Sequence, residues 1–334
     1  MAIIARDLTK VFKMPAHAPG IAGALKHVIH PQYTEKVAVD HVSFEIKDGE
    51  SVAYIGPNGA GKSTTIKMLT GILYASGGEI EIQGVNPYKD RIANARNVGV
   101  VFGQRTQLWW DIPVEESFRL LKDIYEIPDA RYKENMELFK EVFGLGEFIT
   151  RTARRLSLGQ RMRADLAASL LHDPKVLFLD EPTIGLDITV KENMRHLIRM
   201  MNRERGTTII LTSHDLQDIE DLCQRVIVID QGRIISDVKR EQLQSMFAHE
   251  RGVRISLKKP GADVYQKLLE YPELRLEMAD AHTITIMFDL HTHTAYEVIS
   301  LVGKLADIQD VSVIEPDIKQ VIEKIYRSEL QVNS

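Results

Sequence analysis

The run Gly56-Pro57-Asn58-Gly59-Ala60-Gly61-Lys62-Ser63-Thr64 constrains this chain more than any other segment. It follows the apolar stretch Ser51–Ile55 and precedes a helix-like segment from Thr64 to Leu73, which predicts a strand, a glycine-rich loop and a helix in succession. Glycines at these spacings let a backbone wrap closely around a polyphosphate. The loop amides would then point inward, and the following helix would add the positive end of its dipole. Lys62 is expected to reach the β- and γ-phosphates, and the Ser63 hydroxyl to meet Mg²⁺. The pattern therefore predicts a nucleoside-triphosphate site on an α/β sheet.

Composition narrows the setting. With 334 residues, 44% of them apolar, the chain can bury one large core and a smaller second one. The 42 basic and 47 acidic residues leave a net charge of −5, which argues against a nucleic-acid-coating protein and predicts no nucleic-acid partner. Cys223 is the single cysteine, so no intramolecular disulfide can form, in keeping with a reducing compartment. No apolar run approaches the roughly 20 residues needed to span a bilayer, and the first residues lack a signal-peptide pattern; a cytoplasmic location is expected.

Three further segments carry chemistry. Val176-Leu177-Phe178-Leu179-Asp180-Glu181 reads as a buried parallel strand ending in two carboxylates. Strand ends in open α/β sheets face the ligand crevice, so Asp180 is expected beside the Mg²⁺ and Glu181 beside an attacking water. Leu156-Ser157-Leu158-Gly159-Gln160-Arg161 opens a helix running toward Leu171; Ser157 has the character of an N-cap, and Gly159 permits close approach by an anion. Thr212-Ser213-His214-Asp215 follows the apolar run Thr208–Leu211, where a histidine at a strand end can hydrogen-bond a terminal phosphate.

Taken together over residues 1–245, these segments resemble the nucleotide-binding subunit of ATP-binding cassette (ABC) transporters. The resemblance implies a P-loop NTPase fold with ATP and Mg²⁺ as ligands. It makes Gly56 to Thr64 the Walker A loop, Gln104 the Q-loop glutamine, and Ser157, Gly159 and Gln160 part of the signature. Asp180 and Glu181 become the Walker B carboxylates, Asp187 the end of the D-loop, and His214 the switch histidine. Ser63, Asp180 and Gln104 would organise the metal, Lys62 would neutralise phosphate charge, Glu181 would orient water, and His214 would hold the γ-phosphate. The family pairs its cassettes head to tail, so each ATP would lie between one copy's loop and the other's Ser157 helix end, in a homodimer or heterodimer, with Asp187 coupling the two sites. The run Gly103–Asp111, with the family's wording Gly-Gln-Arg-Thr-Gln-Leu-Trp-Trp-Asp, further resembles ATPases of ABC-2-type permeases, among them viologen-exporter-like proteins. That implies ATP-driven export through separate integral membrane permease subunits, with the ATPase peripheral on the cytoplasmic membrane face. A soluble ABC-type ATPase of the translation or DNA-repair kind is the alternative; the lone Walker A loop and the lack of a heptad insertion weigh against it.

Two departures stand out. Leu158 occupies a signature position that is usually glycine, which questions a close backbone approach there. Gln104 sits one residue later than usual, with Gln107 as the alternative; the distance to Pro113–Glu116 favours Gln104. For stacking on adenine, Phe12 matches the end of the first strand, whereas Tyr33 has the family's spacing before Asp40.

The remaining segments are organisational. Residues 106–172 read as a helical subdomain, with helices over Val114–Tyr125 and Arg131–Phe143 separated by Pro128. Trp109 and Trp110 are either a partner anchor or part of its core. The insertion at about 13–36 carries Ile21, Ala24, Leu25, Val28 and Ile29 at helical spacing and a mildly basic balance. Residues 246–334 read as a small α+β domain of ferredoxin-like character, with strands over Val253–Leu257, Thr283–Phe288 and Val311–Ile314 and helices over Ala262–Tyr271, Thr294–Leu305 and Pro316–Tyr326. His291 and His293 lack the companions a metal site needs.

Overall fold

A computed structural model describes residues 1–15, 33–103, 106–213, 215–242 and 249–314. The chain divides into two compact units, Met1–Val238 and Lys239–Ser334. In the first, strands β1 (Ile3–Pro15) and β2 (Tyr33–Ile46) pair antiparallel along their full length. The alternation of Val42, Phe44 and Ile46 with exposed neighbours gives β2 one buried face, as expected of a half-covered antiparallel sheet. Residues 13–15 and 33–36, placed by the sequence in an insertion, extend this ribbon as strand; the helical pattern from Ile21 to Ile29 lies outside the described residues.

Strand β3 (Ser51–Ile55), buried throughout, runs into the glycine-rich loop and then helix α1 (Lys62–Leu69). Strand β4 (Gly77–Ile82) joins the far edge of β1, giving a three-stranded sheet ordered β2-β1-β4. Helix α2 (Arg91–Asn97), capped by Asp90, leads to β5 (Val98–Phe102). Then come α3 (Val114–Ile124), α4 (Asp129–Phe143) and α5 (Leu158–Leu170), the helical segment read between 106 and 172. Pro128 does not merely separate two helices: it is the N-terminal cap of α4, where a missing N–H and a fixed φ cost nothing. Helix α5 packs on α3, α4 and β5 and so joins the helical layer to the sheet.

The chain then returns to the sheet through β6 (Val176–Asp180), α6 (Ile188–Arg205), β7 (Thr208–Thr212), α7 (Leu216–Leu222), β8 (Arg225–Asp230) and β9 (Arg233–Lys239). The six-stranded sheet is ordered β5-β6-β7-β3-β8-β9, with the pairs from β5 to β8 parallel. The runs Val-Leu-Phe-Leu in β6 and Ile-Ile-Leu in β7 are buried on both faces, the reason they are continuously apolar. Because β7 and β8 flank β3 on opposite sides, the strand order reverses there, and the carboxyl ends of β3, β6 and β7 open onto one crevice.

The second unit contains β10 (Glu250–Leu257), α8 (Ala262–Leu268), β11 (Arg275–Met278), β12 (Thr283–Asp289), α9 (Ala295–Leu305) and β13 (Ile308–Ile314). Its sheet is antiparallel and ordered β11-β12-β10-β13, the split βαβ arrangement anticipated as ferredoxin-like. Val253, Ile255, Ile284, Ile286, Val298 and Val302 form its core. The expected terminal helix over 316–326 lies outside the described residues.

Candidate functional site

A cleft of about 720 Å³ opens at the crevice. Its floor is the loop residues Asn58, Gly59, Gly61, Lys62, Ser63 and Thr64; one wall is Phe102, Gly103, Asp180, Glu181 and Ile184, and the rim is Phe12, Met14, Lys36 and Ala38. Gly56, Pro57 and Ala60 shape the loop from behind: the Gly56 and Pro57 carbonyls accept from Lys62 Nζ at 2.6 and 3.1 Å, and Ala60 N donates to Pro57 O at 3.1 Å. The ammonium of Lys62 is thus folded back onto its own loop, 7% exposed. Burial depresses its pKa, while Glu181 and Asp180 oppose that shift.

Ser63 and Asp180 are 117 positions apart, yet Ser63 Oγ donates to Asp180 Oδ2 at 2.9 Å. The other carboxylate oxygen of Asp180 accepts from Thr212 Oγ1 at 2.6 Å, since Thr212 stands beside Asp180 in the β6–β7 register. Thr212 also receives the Glu181 N–H on both its carbonyl (3.0 Å) and its hydroxyl (3.1 Å). The sequence reading assigned Thr212 no role; a threonine ending a buried strand, one strand over from a paired carboxylate, is the signal that marks it.

Glu181 has φ +56°, a left-handed conformation that a side chain other than glycine adopts at a cost of about 1 kcal/mol or more. The twist turns the chain sharply off β6, and Gly103 N, donating to Asp180 O at 2.8 Å, fixes the other side of the turn. Glu181 lines the cleft with its pKa raised to about 7, first by burial, then by Asp180 and Asp218, against the pull of Lys62. A carboxyl poised there can accept a proton near neutral pH. The oxygens of Ser63 and Asp180, hard donors converging on one side of the loop, suit a hard divalent cation.

Phe12 lines the cleft, whereas Tyr33 sits opposite Pro15 at the far end of the ribbon and does not. Ser157, Gly159, Gln160 and Asp187 also lie away from the cleft of their own chain. Ser157 caps α5 in a reciprocal box: Gln160 N donates to Ser157 Oγ at 3.2 Å, and Ser157 N donates to Gln160 Oε1 at 3.1 Å. Leu158 is the first residue of that helix, so the positive φ that leucine would resist is not required there. Asp187 caps α6, accepting from Val190 N at 2.9 Å. Gln107, the alternative glutamine, is tied elsewhere: its Nε2 donates to the carbonyl of Asp165 at 2.8 Å. Gln104 and His214 lie outside the described residues.

With this geometry in hand, the comparisons with known proteins converge. The family model described as ABC transporter matches residues 39–184. The ABC transporter ATP-binding protein NatA of Bacillus subtilis is 34% identical over 214 residues, which cover 64% of this chain and 85% of NatA. The probable multidrug ABC transporter ATP-binding protein YbhF of Escherichia coli is 33% identical over 220 residues, or 66% of this chain; the match spans only 37% of YbhF. Among solved structures, a dimeric ATP-binding cassette in a post-hydrolysis state, bound to ADP and Pi, shares the fold with a TM-score of 0.60 over 71% of this chain and 98% of its own, at 24% identity. Sequence identity sustained along most of NatA, on a P-loop fold whose strand ends carry the expected carboxylates, means that this chain belongs to the ATP-binding protein family of ABC transporters.

Proposed function

We propose that the chain binds and hydrolyses Mg·ATP in this cleft as the motor of an ABC-2-type exporter, docked on separate membrane permease subunits at the cytoplasmic face. The observation that carries the reading is the meeting of Lys62, the Ser63–Asp180 pair and Glu181 in one cleft of nucleotide size. Among the described residues no helix is long and apolar enough to cross a membrane, so a translocation pathway would be supplied by partners. Relatives named for multidrug transport favour export over the soluble translation or repair reading.

In this reading Lys62 leaves the Gly56 and Pro57 carbonyls for the β- and γ-phosphates, which the amides from Asn58 to Thr64 also cradle. Ser63 and Asp180, together with Gln104, would hold Mg²⁺, whose chemistry when bound is to neutralise charge on the transferred phosphoryl group. Glu181 orients and deprotonates the attacking water, and His214 contacts the γ-phosphate. Phe12 offers a face to adenine in preference to Tyr33, since only Phe12 borders the cleft. Ser157, Gly159 and Gln160 line no part of their own cleft, in keeping with their serving the nucleotide of a second copy, homologous or identical. ATP would then join two cassettes and hydrolysis would release them, the closing and opening that drives the permease.

Glu181→Gln tests the reading. Nucleotide affinity should persist, turnover should fall by about 100-fold or more, and ATP-loaded dimers should accumulate in light-scattering chromatography with the permease present. Unchanged turnover in this variant, or a wild-type chain that fails to bind Mg·ATP, refutes it.

A further inference from the structure

We propose that Asp218, a residue outside every motif of the site, is a positioning residue that locks the segment after Glu181 and the segment before His214 into one unit. The inference rests on the ATPase reading above. Asp218 lies on α7 and is fully buried. Its Oδ2 accepts from Thr183 Oγ1 at 2.5 Å and from Ser213 Oγ at 2.8 Å, and its Oδ1 accepts from Arg195 Nε at 2.7 Å. Thr183 stands two residues beyond Glu181. Ser213 follows Thr212, the residue that holds Asp180 and the Glu181 amide. Arg195 belongs to α6, the helix that Asp187 caps. One carboxylate therefore binds two segments that lead into the site to each other and to helix α6.

The chemistry argues that this is more than packing. A buried ion pair is an expensive way to hold helices together, and apolar side chains of similar volume commonly do as well or better. An apolar residue cannot accept from two hydroxyls at once. Thr183 and Ser213 are themselves buried, so without the carboxylate neither hydroxyl would find water. Ser213 also accepts from the Asp215 N–H at 3.0 Å, which extends the lock across the turn into α7. An outer ring stiffens it: Lys191 pairs with Asp215 at 2.8 Å, and Arg195 lies 3.8 Å from Asp215 and 3.7 Å from Asp221.

The lock acts on the chemical step, not on nucleotide capture, because none of its members lines the cleft. Thr183→Val keeps the shape of the side chain and removes one hydroxyl; Ser213→Ala opens the other arm. In the full chain each should lower kcat for Mg·ATP by about tenfold and leave nucleotide affinity within about twofold, with Thr183→Ser restoring turnover. In a Glu181→Gln background, Thr183→Val should add no further loss, since it acts through Glu181. Asp218→Asn should show the larger defect, and the two single-hydroxyl variants decide the matter if that chain fails to fold. Turnover in Thr183→Val and Ser213→Ala within about twofold of wild type, with only thermal stability reduced, overturns the positioning role and leaves the ATPase reading standing. A wild-type chain without turnover overturns the ATPase reading itself.

Discussion

Alanine at Gly56 and alanine at Gly59 should fail in opposite ways, although the two glycines sit three residues apart in one loop. A Cβ added at Gly56 would lie 2.0 Å from the carbonyl oxygen of Ile229 and 3.1 Å from its carbonyl carbon. That oxygen belongs to β8, so relief requires β3 and β8 to separate, and no flexible side chain can absorb the overlap. Overpacking of this kind costs typically 1–3 kcal/mol, and a backbone-on-backbone clash belongs at the top, about 3 kcal/mol or more. For a unit of the size of Met1–Val238, about 2–4 °C of melting temperature accompanies each kcal/mol, so Gly56→Ala should melt about 6–12 °C early. A Cβ at Gly59 meets nothing within 4 Å, and its only intrinsic cost is φ +84°, about 1 kcal/mol. Gly59 faces the cleft, however, where that methyl group would occupy phosphate space. Wild type at 100 times the Mg·ATP dissociation constant should gain about 2.7 kcal/mol, or about 5–11 °C. Gly59→Ala should melt near wild type without nucleotide and lose that gain. Calorimetry of the full chain with and without Mg·ATP reads both. The reasoning is refuted if Gly56→Ala melts within about 2 °C of wild type, or if Gly59→Ala retains the nucleotide shift.

Two groups in the helical segment, the half-buried His172 and the buried Asp165, give pH signatures of opposite sign. His172 stacks on Tyr125 at 4.0 Å, its Nε2 donates to the Val98 carbonyl, and burial depresses its pKa to about 4. The unfolded chain therefore takes up the proton first: stability is full above about pH 6.5 and declines as pH falls toward 4. Between pH 7 and 5 wild type should lose about 2 kcal/mol relative to His172→Gln in urea titrations, and parallel curves would count against it. Asp165, held by Thr106 Oγ1 at 2.8 Å and Gln107 N at 3.0 Å, has its pKa raised to about 6 by burial. Here the folded chain holds the proton more tightly, so its contribution is full below about pH 3.8 and is lost as pH rises through 6. Asp165→Asn keeps the acceptor oxygen and should equal or exceed wild-type stability at pH 8, whereas Asp165→Ala should lose about 2 kcal/mol; equal losses in both variants would sink the argument.

Whatever depends on contiguous residues was legible in the amino-acid order alone. The strand, loop and helix around Lys62, the carboxylates ending β6, the cap at Ser157 and the ferredoxin-like strand pattern are each local, because hydrogen-bond periodicity and capping act over a few positions. The charged edge strand β11 escaped because Arg-Leu-Glu-Met alternates too briefly to announce itself. Which distant groups meet was set by how strands and helices pack. Sheet order set Asp180 between Ser63 and Thr212 on the crevice; ribbon register put Phe12 on the cleft and Tyr33 at the far end of the ribbon; and helix packing drew Thr183, Arg195 and Ser213 onto Asp218. In sequence Asp218 looks like any acidic residue of a solvated helix. Only burial, which removes water as a competing partner, turns its carboxylate into the acceptor that Thr183, Ser213 and Arg195 share.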